Sequence, residues 1–338
     1  MNLEQENELA KLLQKKFPLD KEPFKVLAEQ INSTEEDVLL KIQEWKNTKR
    51  LREISAVMEG ELLGYESALV CAEVSSEKIE DTASVISEHP LVTHNYQRNH
   101  KYNLWFTIAS ERKNGVEEDI KILSSLTGIS NIHPLKKIKV YKIGVVVDLK
   151  NKTNVSEKTI HSINKKQIEI TEKNKRLIQI IQKDLPAVKN PFKVLADENN
   201  AQEEEIINFL NENMGGAVRK YIGTFMHRKM GVTFNGMAVW NVKPENLDKA
   251  GEKLAQFPDV SHCYSRTPIS DFPYSLYSMI HGSSSDYLTE TAEKMSRDIN
   301  CDDYLILTST REFKKTRLRY FIEEYNEWLN KYKGAIKL

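Results

Sequence analysis

The chain has 338 residues and a balanced charge, 49 basic against 49 acidic side chains, so it is too long for one small core and lacks the cationic surplus of a general nucleic-acid binder. Cys71, Cys263 and Cys301 are widely spaced and form no CxxC pair, which argues against a disulfide framework or a structural zinc site and suits a reducing cytoplasm. No stretch approaches the ~20 apolar residues of a membrane span, and the N-terminus has no apolar signal core, so a cytoplasmic protein with no membrane partner is expected.

From about Glu8 to Asn47 the apolar residues recur at helical spacing: Leu9, Leu12 and Leu13, then Phe24, Val26 and Leu27, then Val38, Leu39, Ile42 and Trp45. Asn32-Ser33-Thr34 ahead of Glu35-Glu36-Asp37 predicts a capped helix start with acidic residues at its positive end. Short helices in this order predict a helix-turn-helix, with Arg52–Val57 as a following strand or wing. After Gly64 the period changes. Tyr65–Val74 reads as strand, Glu77–Glu88 as helix, Leu91–Arg98 and Tyr102–Ala109 as strands, Val116–Leu126 as helix and Ile138–Val147 as strand. That order is the ferredoxin-like βαββαβ motif.

The same order then begins again. PFKVLA occupies Pro23–Ala28 and recurs at Pro191–Ala196; Arg52 is answered by Arg219; His94-Asn95-Tyr96-Gln97-Arg98 is answered by His262-Cys263-Tyr264-Ser265-Arg266. Matches in one order at nearly one spacing mean tandem copies. The fold class is therefore α+β, a tandem repeat of helix-turn-helix (winged-helix-like) plus ferredoxin-like domains. The expected boundaries are 1–62 and 63–149 for the first copy, a solvated connector over 150–174, and 175–230 and 231–338 for the second, with a helical tail over Tyr320–Tyr332. The two copies are expected to pair within the chain through their ferredoxin-like sheets, with further self-association left open.

Alternate residues of a strand share a face. His94, Tyr96 and Arg98 therefore form one row, His262, Tyr264 and Arg266 a second, and Val92 and Val260 are expected to begin them. Polar alternation is also what a solvated sheet face shows. Imidazole, phenol and guanidinium together are a poor choice for mere solvation, however: they supply an acid near neutral pH, a hydroxyl donor and a carboxylate clamp. His100 and Tyr102 follow the first row, and Trp105 and Tyr277 stand on the next strands as flat surfaces that core packing would equally explain.

Arg52 and Arg219 end the wing strands, where they either clamp carboxylates or remain solvated. His227, in the basic cluster His227-Arg228-Lys229, and His281, near the end of a strand read as Tyr274–Ile280, are candidate ligand contacts or axial iron ligands; no other metal site is suggested. Lys314, Lys315, Arg317 and Arg319 are read as the basic face of the C-terminal helix. His89, His133 and His161 receive no role. GxGxxG, P-loop, GxSxG and HExxH motifs are absent, so no nucleotide, flavin or zinc cofactor is expected.

At these residues the chain resembles the siroheme decarboxylases, whose two subunit types belong to the Lrp/AsnC-like superfamily. The first copy is similar to the A-type subunit through Phe17-Pro18-Leu19, Leu63-Gly64-Tyr65 and the string from His94 to Thr107. The second is similar to the B-type through His227-Arg228-Lys229, Ala238-Val239-Trp240, the string from Ser261 to Arg266, the string from Pro273 to Gly282, and Glu312–Thr316 with Arg319-Tyr320-Phe321. Arg52-Glu53 and Ser55 depart from the Arg-Arg and glycine usual in the wing. The resemblance implies conversion of siroheme to 12,18-didecarboxysiroheme, in heme or heme d1 formation, with siroheme as substrate and no cofactor required. On that basis His94 and His100 are the expected principal acids, supported by His262, Tyr96 and Tyr264. Arg98, Arg266, Arg52 and Arg219, with Tyr102, Trp105, His227 and Tyr277, are the expected substrate contacts.

Two other classes compete. A DNA-binding regulator of the same superfamily would need a cationic helix-turn-helix, yet Phe17–Ser55 holds seven basic and eight acidic residues, and the second recognition segment opens with Glu203-Glu204-Glu205. No DNA partner is therefore expected. A heme or siroheme sensor without catalysis would use one histidine as an axial ligand.

Overall fold

The computed structural model describes residues 1–111, 113–143, 168–225, 234–332 and 334, with the backbone of 146–148 and 153–155. The chain separates into two units that do not follow the order of the copies: one gathers both helical regions, the other both ferredoxin-like regions.

In the helical unit the first copy contributes α1 (Leu3–Lys15), α2 (Pro23–Gln30), α3 (Glu35–Asn47) and β1 (Leu51–Met58). The second contributes α6 (Glu172–Ile181), α7 (Pro191–Glu198), α8 (Glu203–Asn213) and β8 (Val218–Phe225). The Thr34 hydroxyl accepts from the Asp37 amide at 3.1 Å, the cap that the sequence predicts for α3. Among the described residues neither wing strand pairs with another strand of its own copy, although Val218 at the start of β8 makes an isolated bridge to Met214. β1 and β8 form one antiparallel ribbon, with Leu51 opposite Phe225 and Met58 opposite Val218. Beneath it the two PFKVLA phenylalanines join one aromatic cluster, in which Phe17 touches Phe24 at 5.8 Å and both Phe17 and Phe192 touch Tyr221. The hairpin β6 (Val146–Asp148) and β7 (Thr153–Val155) also falls in this unit.

The other unit holds β2 (Tyr65–Ala72), α4 (Ile79–Glu88), β3 (Val92–Arg98), β4 (Leu104–Glu111), α5 (Val116–Thr127) and β5 (Ile132–Ile143) from the first copy. From the second come β9 (Phe234–Trp240), α9 (Leu247–Gln256), β10 (Val260–Arg266), β11 (Leu276–Gly282), α10 (Ser285–Ile299), β12 (Tyr304–Lys315) and α11 (Glu323–Tyr332). The eight strands close into a barrel in the order β10-β11-β9-β12-β3-β4-β2-β5. Closure depends on each copy lending its last strand to the other: β12 pairs with β3, and β5 with β10. A closed barrel leaves no open edge.

Two expectations are corrected here. β5 starts at Ile132, well before Ile138, because Val70 of β2 pairs with Pro134; the strand then passes to β10 from Lys137 onward. A proline inside a strand reads as a breaker, yet a strand changing partners tolerates it. Lys314 and Lys315 lie in β12, not on the C-terminal helix, and Arg317 and Arg319 precede α11, because pairing with β3 carries β12 as far as Lys315 opposite His94.

Each sheet face has a distinct cover. Trp240, Val260, Cys263, Leu276 and Ile280 pack against Ala250 and Leu254 of α9 and Leu288, Ala292 and Met295 of α10. The opposite faces of both copies meet in a helix-free cluster that includes Cys71, Trp105, Leu135, Met237, Val239, Tyr277 and Leu307, which is the barrel interior.

Candidate active site

Both polar rows face that interior. Tyr264 stands opposite Tyr277, and Tyr96 opposite Trp105, and both of those partners belong to the interior cluster. The helix-side face is marked by Asn95, whose amide donates to the Ala83 carbonyl of α4 at 3.0 Å. Val92 and Val260 do not begin the rows. A β-bulge sits between Val92 and His94 and another between Val260 and His262, which leaves Val260 in the helix-covered core. Two residues opposing one on the partner reverse the alternation at that point.

The rows repeat each other closely. His94 and Tyr96 lie 6.1 Å apart with an interplanar angle of 27°, and His262 and Tyr264 lie 6.2 Å apart at 25°. Side chains two residues apart on a strand stand about 6–7 Å from one another, so simple strand geometry sets this ladder. The Arg98 guanidinium lies 5.6 Å from the Tyr96 ring centre, and that of Arg266 lies 5.1 Å from Tyr264 and 5.8 Å from Tyr277.

Each arginine reaches into the other copy. Arg98 Nη1 donates to the Leu307 carbonyl at 2.7 Å, and Arg266 Nη1 to the Leu135 carbonyl at 3.1 Å. Arg98 is 6% exposed, and burial lowers it to about 10, still cationic at neutral pH; burial lowers Arg266 as well. Among the described residues Nε of both arginines and the buried Tyr277 hydroxyl have no hydrogen-bond partner. Buried donors are nearly always satisfied, so unsatisfied ones on one interior face mark a place for an acceptor.

The bulges bring in residues that the sequence reading did not single out. Thr93 Oγ1 contacts His94 Nδ1 at 3.0 Å and Thr107 Oγ1 at 2.7 Å. Ser261 Oγ contacts His262 Nδ1 at 2.8 Å and His281 Nε2 at 2.7 Å. The usable signal was a hydroxyl residue directly before the repeated histidine in both copies.

The remaining candidates disperse. His100 lies past Arg98 in the β3–β4 turn, and four strand residues, about 13 Å, already separate His94 from Arg98. Its Nδ1 accepts from the Tyr102 amide at 3.0 Å, its ring packs against Phe272 at 5.2 Å, and burial lowers its pKa. Tyr102 and Trp105 are 0% and 1% exposed: the phenol donates to Asp271 at 2.7 Å and the indole to the Tyr102 carbonyl at 2.6 Å. The Tyr102 hydroxyl, aided by Lys101, holds Asp271 down at about 2. Arg52 and Arg219 belong to the helical unit, near opposite ends of the β1–β8 ribbon. His227 and His161 lie outside the described residues. No group of three or more metal-ligating side chains occurs among the described residues, and none of their helices is long and apolar enough to cross a membrane.

Two of the glutamates opening α8, Glu204 and Glu205, are held in ion pairs. Glu204 pairs with Lys21, and Glu205 with Lys173 at 2.7 Å; these hydrogen bonds lower both carboxyl pKa values. A helix start of that charge repels a phosphate backbone.

A paired helix-turn-helix unit and a barrel of two ferredoxin-like halves define a fused pair of Lrp/AsnC-like modules. The AsnC-like ligand binding domain model matches residues 62–142 and 229–314, and that of the siroheme decarboxylase NirDL-like HTH domain matches 6–52 and 174–214. Siroheme decarboxylase of Hydrogenobacter thermophilus is 34% identical over 327 residues, 95% of this chain and 96% of that protein. The siroheme decarboxylase beta subunit of Methanosarcina barkeri is 36% identical over 145 residues, 43% of this chain and 95% of the subunit. The crystal structure of siroheme decarboxylase NirDL in co-complex with an iron-uroporphyrin III analogue superposes with a TM-score of 0.80 at 30% identity, covering 98% of this chain and all of that one. The chain belongs to the siroheme decarboxylase family, with both subunit types fused in one polypeptide.

Proposed function

We propose that this chain is a carboxy-lyase that converts siroheme to 12,18-didecarboxysiroheme, on a route to heme or heme d1, and that the barrel rows carry the chemistry. Loss of carbon dioxide from a pyrrole acetate leaves the bond's electron pair on the methylene carbon. The macrocycle takes up that pair when an acid protonates it, and a proton then completes the methyl group. His94 and His262 are the acids, Tyr96 and Tyr264 orient the ring beside them, and Arg98 and Arg266 hold substrate carboxylates. A positioned acid of this kind contributes ~10²–10⁴-fold in rate.

One observation carries the reading: two buried guanidinium groups, one per copy, each keep an unpaired Nε on the face that bears the imidazoles. A polycarboxylate supplies the missing acceptors through charge-assisted hydrogen bonds. His100 ranks below the other two histidines, since its Nδ1 is committed to a backbone amide. Anaerobic incubation with siroheme followed by mass analysis tests the reading. Loss of two carbon dioxide units per macrocycle is expected, and siroheme recovered bound but intact would make the protein a sensor instead.

A further inference from the structure

The inner end of the second row holds two buried donors with no acceptor among the described residues. Arg266 spends Nη1 on the Leu135 carbonyl at 3.1 Å and has an unpaired Nε; the Tyr277 hydroxyl, on a side chain 2% exposed, is unpaired as well. The two groups are neighbours. The guanidinium lies 5.8 Å from the Tyr277 ring centre, and Tyr277 stands opposite Tyr264 on the adjoining strand. Burial pushes the phenol well above its ordinary range, so it keeps its proton and remains a donor. A buried hydroxyl without an acceptor is costly, and a phenylalanine of the same shape would avoid that cost. In the first copy the matching position is Trp105, opposite Tyr96, and its indole N–H is given to the Tyr102 carbonyl at 2.6 Å. Arg98 has its own unpaired Nε there but gains no second donor from Trp105.

We propose that Tyr277 is a substrate-binding residue that joins Arg266 Nε in an anchoring subsite for one carboxylate that siroheme keeps throughout the reaction. The inference rests on the reading above, in which the rows hold siroheme. Two donors, one of them cationic, suit the two oxygens of a carboxylate. The chemistry decides which carboxylate. A reacting acetate gives up its charge as its carbon–carbon bond breaks and carbon dioxide leaves, so hydrogen bonds to its oxygens weaken on the way to the transition state. Such bonds would stabilise the ground state more than the transition state and slow the step. A carboxylate that stays attached carries no such penalty, because gripping it binds substrate and transition state alike. Four strand residues, about 13 Å, separate Arg266 from His262, so the anchored edge of the macrocycle is remote from the acid.

The test is anaerobic absorbance titration of full-length protein with siroheme and, separately, with its didecarboxylated product, alongside steady-state carbon dioxide release and urea unfolding without ligand. Tyr277→Phe removes only the hydroxyl. It is expected to weaken binding of both macrocycles about tenfold or more, to leave kcat unchanged, and to leave the ligand-free protein as stable as before or more so. In Tyr277→Phe combined with Arg266→Met, the fold-loss in affinity is expected to be smaller than the product of the single losses, since both donors serve one carboxylate. Four results overturn the subsite: unchanged affinity for siroheme; a loss seen with siroheme and absent with the product, which would put a departing acetate there; independent losses in the double variant; or weakened binding that tracks lost ligand-free stability, which would make the hydroxyl structural. Siroheme bound but left intact by the unmodified protein is a different failure. It removes the decarboxylase reading, while the titrations still decide whether Tyr277 and Arg266 share a carboxylate.

Discussion

Arg98 of the first copy donates to the carbonyl of Leu307 in the second, 209 residues away in sequence, and Arg266 returns the contact at Leu135. The barrel thus holds each guanidinium by a strand from the opposite repeat. Neither arginine has a carboxylate ion-pair partner among the described residues. Burying a cation on a neutral acceptor costs stability, which is reasonable only where a ligand completes the site.

Replacing Arg98 or Arg266 with methionine should therefore separate stability from binding. Siroheme affinity is expected to fall about tenfold or more, the equivalent of losing a charged hydrogen bond of ~1.5–3 kcal/mol. Urea unfolding of the ligand-free protein is expected to show no loss, or a gain, in stability. A large destabilisation with unchanged affinity would make these arginines structural.

The histidines should fall into two groups. His94→Ala and His262→Ala are each expected to slow carbon dioxide release by ~10²–10⁴-fold, and His100→Ala by much less. An equal loss for His100→Ala, measured on the same siroheme preparation, would restore it as a principal acid.

His89 predicts an acid sensitivity unrelated to catalysis. It is fully buried against Trp328 at 4.2 Å, with Nδ1 accepting from the Leu91 amide at 3.1 Å and Nε2 3.5 Å from Asp119. Burial lowers its pKa despite Asp119, so the folded chain keeps it neutral. Above about pH 6.5 it is neutral in both states and makes no pH-dependent contribution. As pH falls below that value the unfolded chain takes up a proton that the fold refuses, and stability declines. His89→Phe, which copies Phe257 at the matching position, should flatten the decline in urea stability between pH 7 and 5.5. Identical slopes would reject this account.

Gly251 is held to its size by Tyr141. A Cβ added there would meet the Tyr141 ring at 2.5 Å, where α9 crosses β5. That ring is anchored by its hydroxyl, which donates to Asp248 at 2.6 Å, so it cannot swing away without losing the bond. Gly251→Ala should cost about 1–3 kcal/mol through overpacking, visible as a lower thermal midpoint. A variant as stable as the unmodified protein would mean that the helix shifts freely on the sheet.

Much of this molecule was legible in one dimension. Helical spacing located α1 to α3, the repeated PFKVLA and His-x-Tyr-x-Arg strings revealed tandem copies, and the two-residue period of a strand put each imidazole, phenol and guanidinium on one face. These are local properties, set by backbone geometry within a few residues. What the chain could not reveal was partner choice. The β1–β8 ribbon, the loan of β5 and β12 between copies, the bulges that remove Val92 and Val260 from the rows, and the Ser261 bridge from His262 to His281 all join segments remote in sequence or depend on local register. Such pairings come from packing and hydrogen-bond satisfaction over the whole barrel, and no window of sequence carries that information.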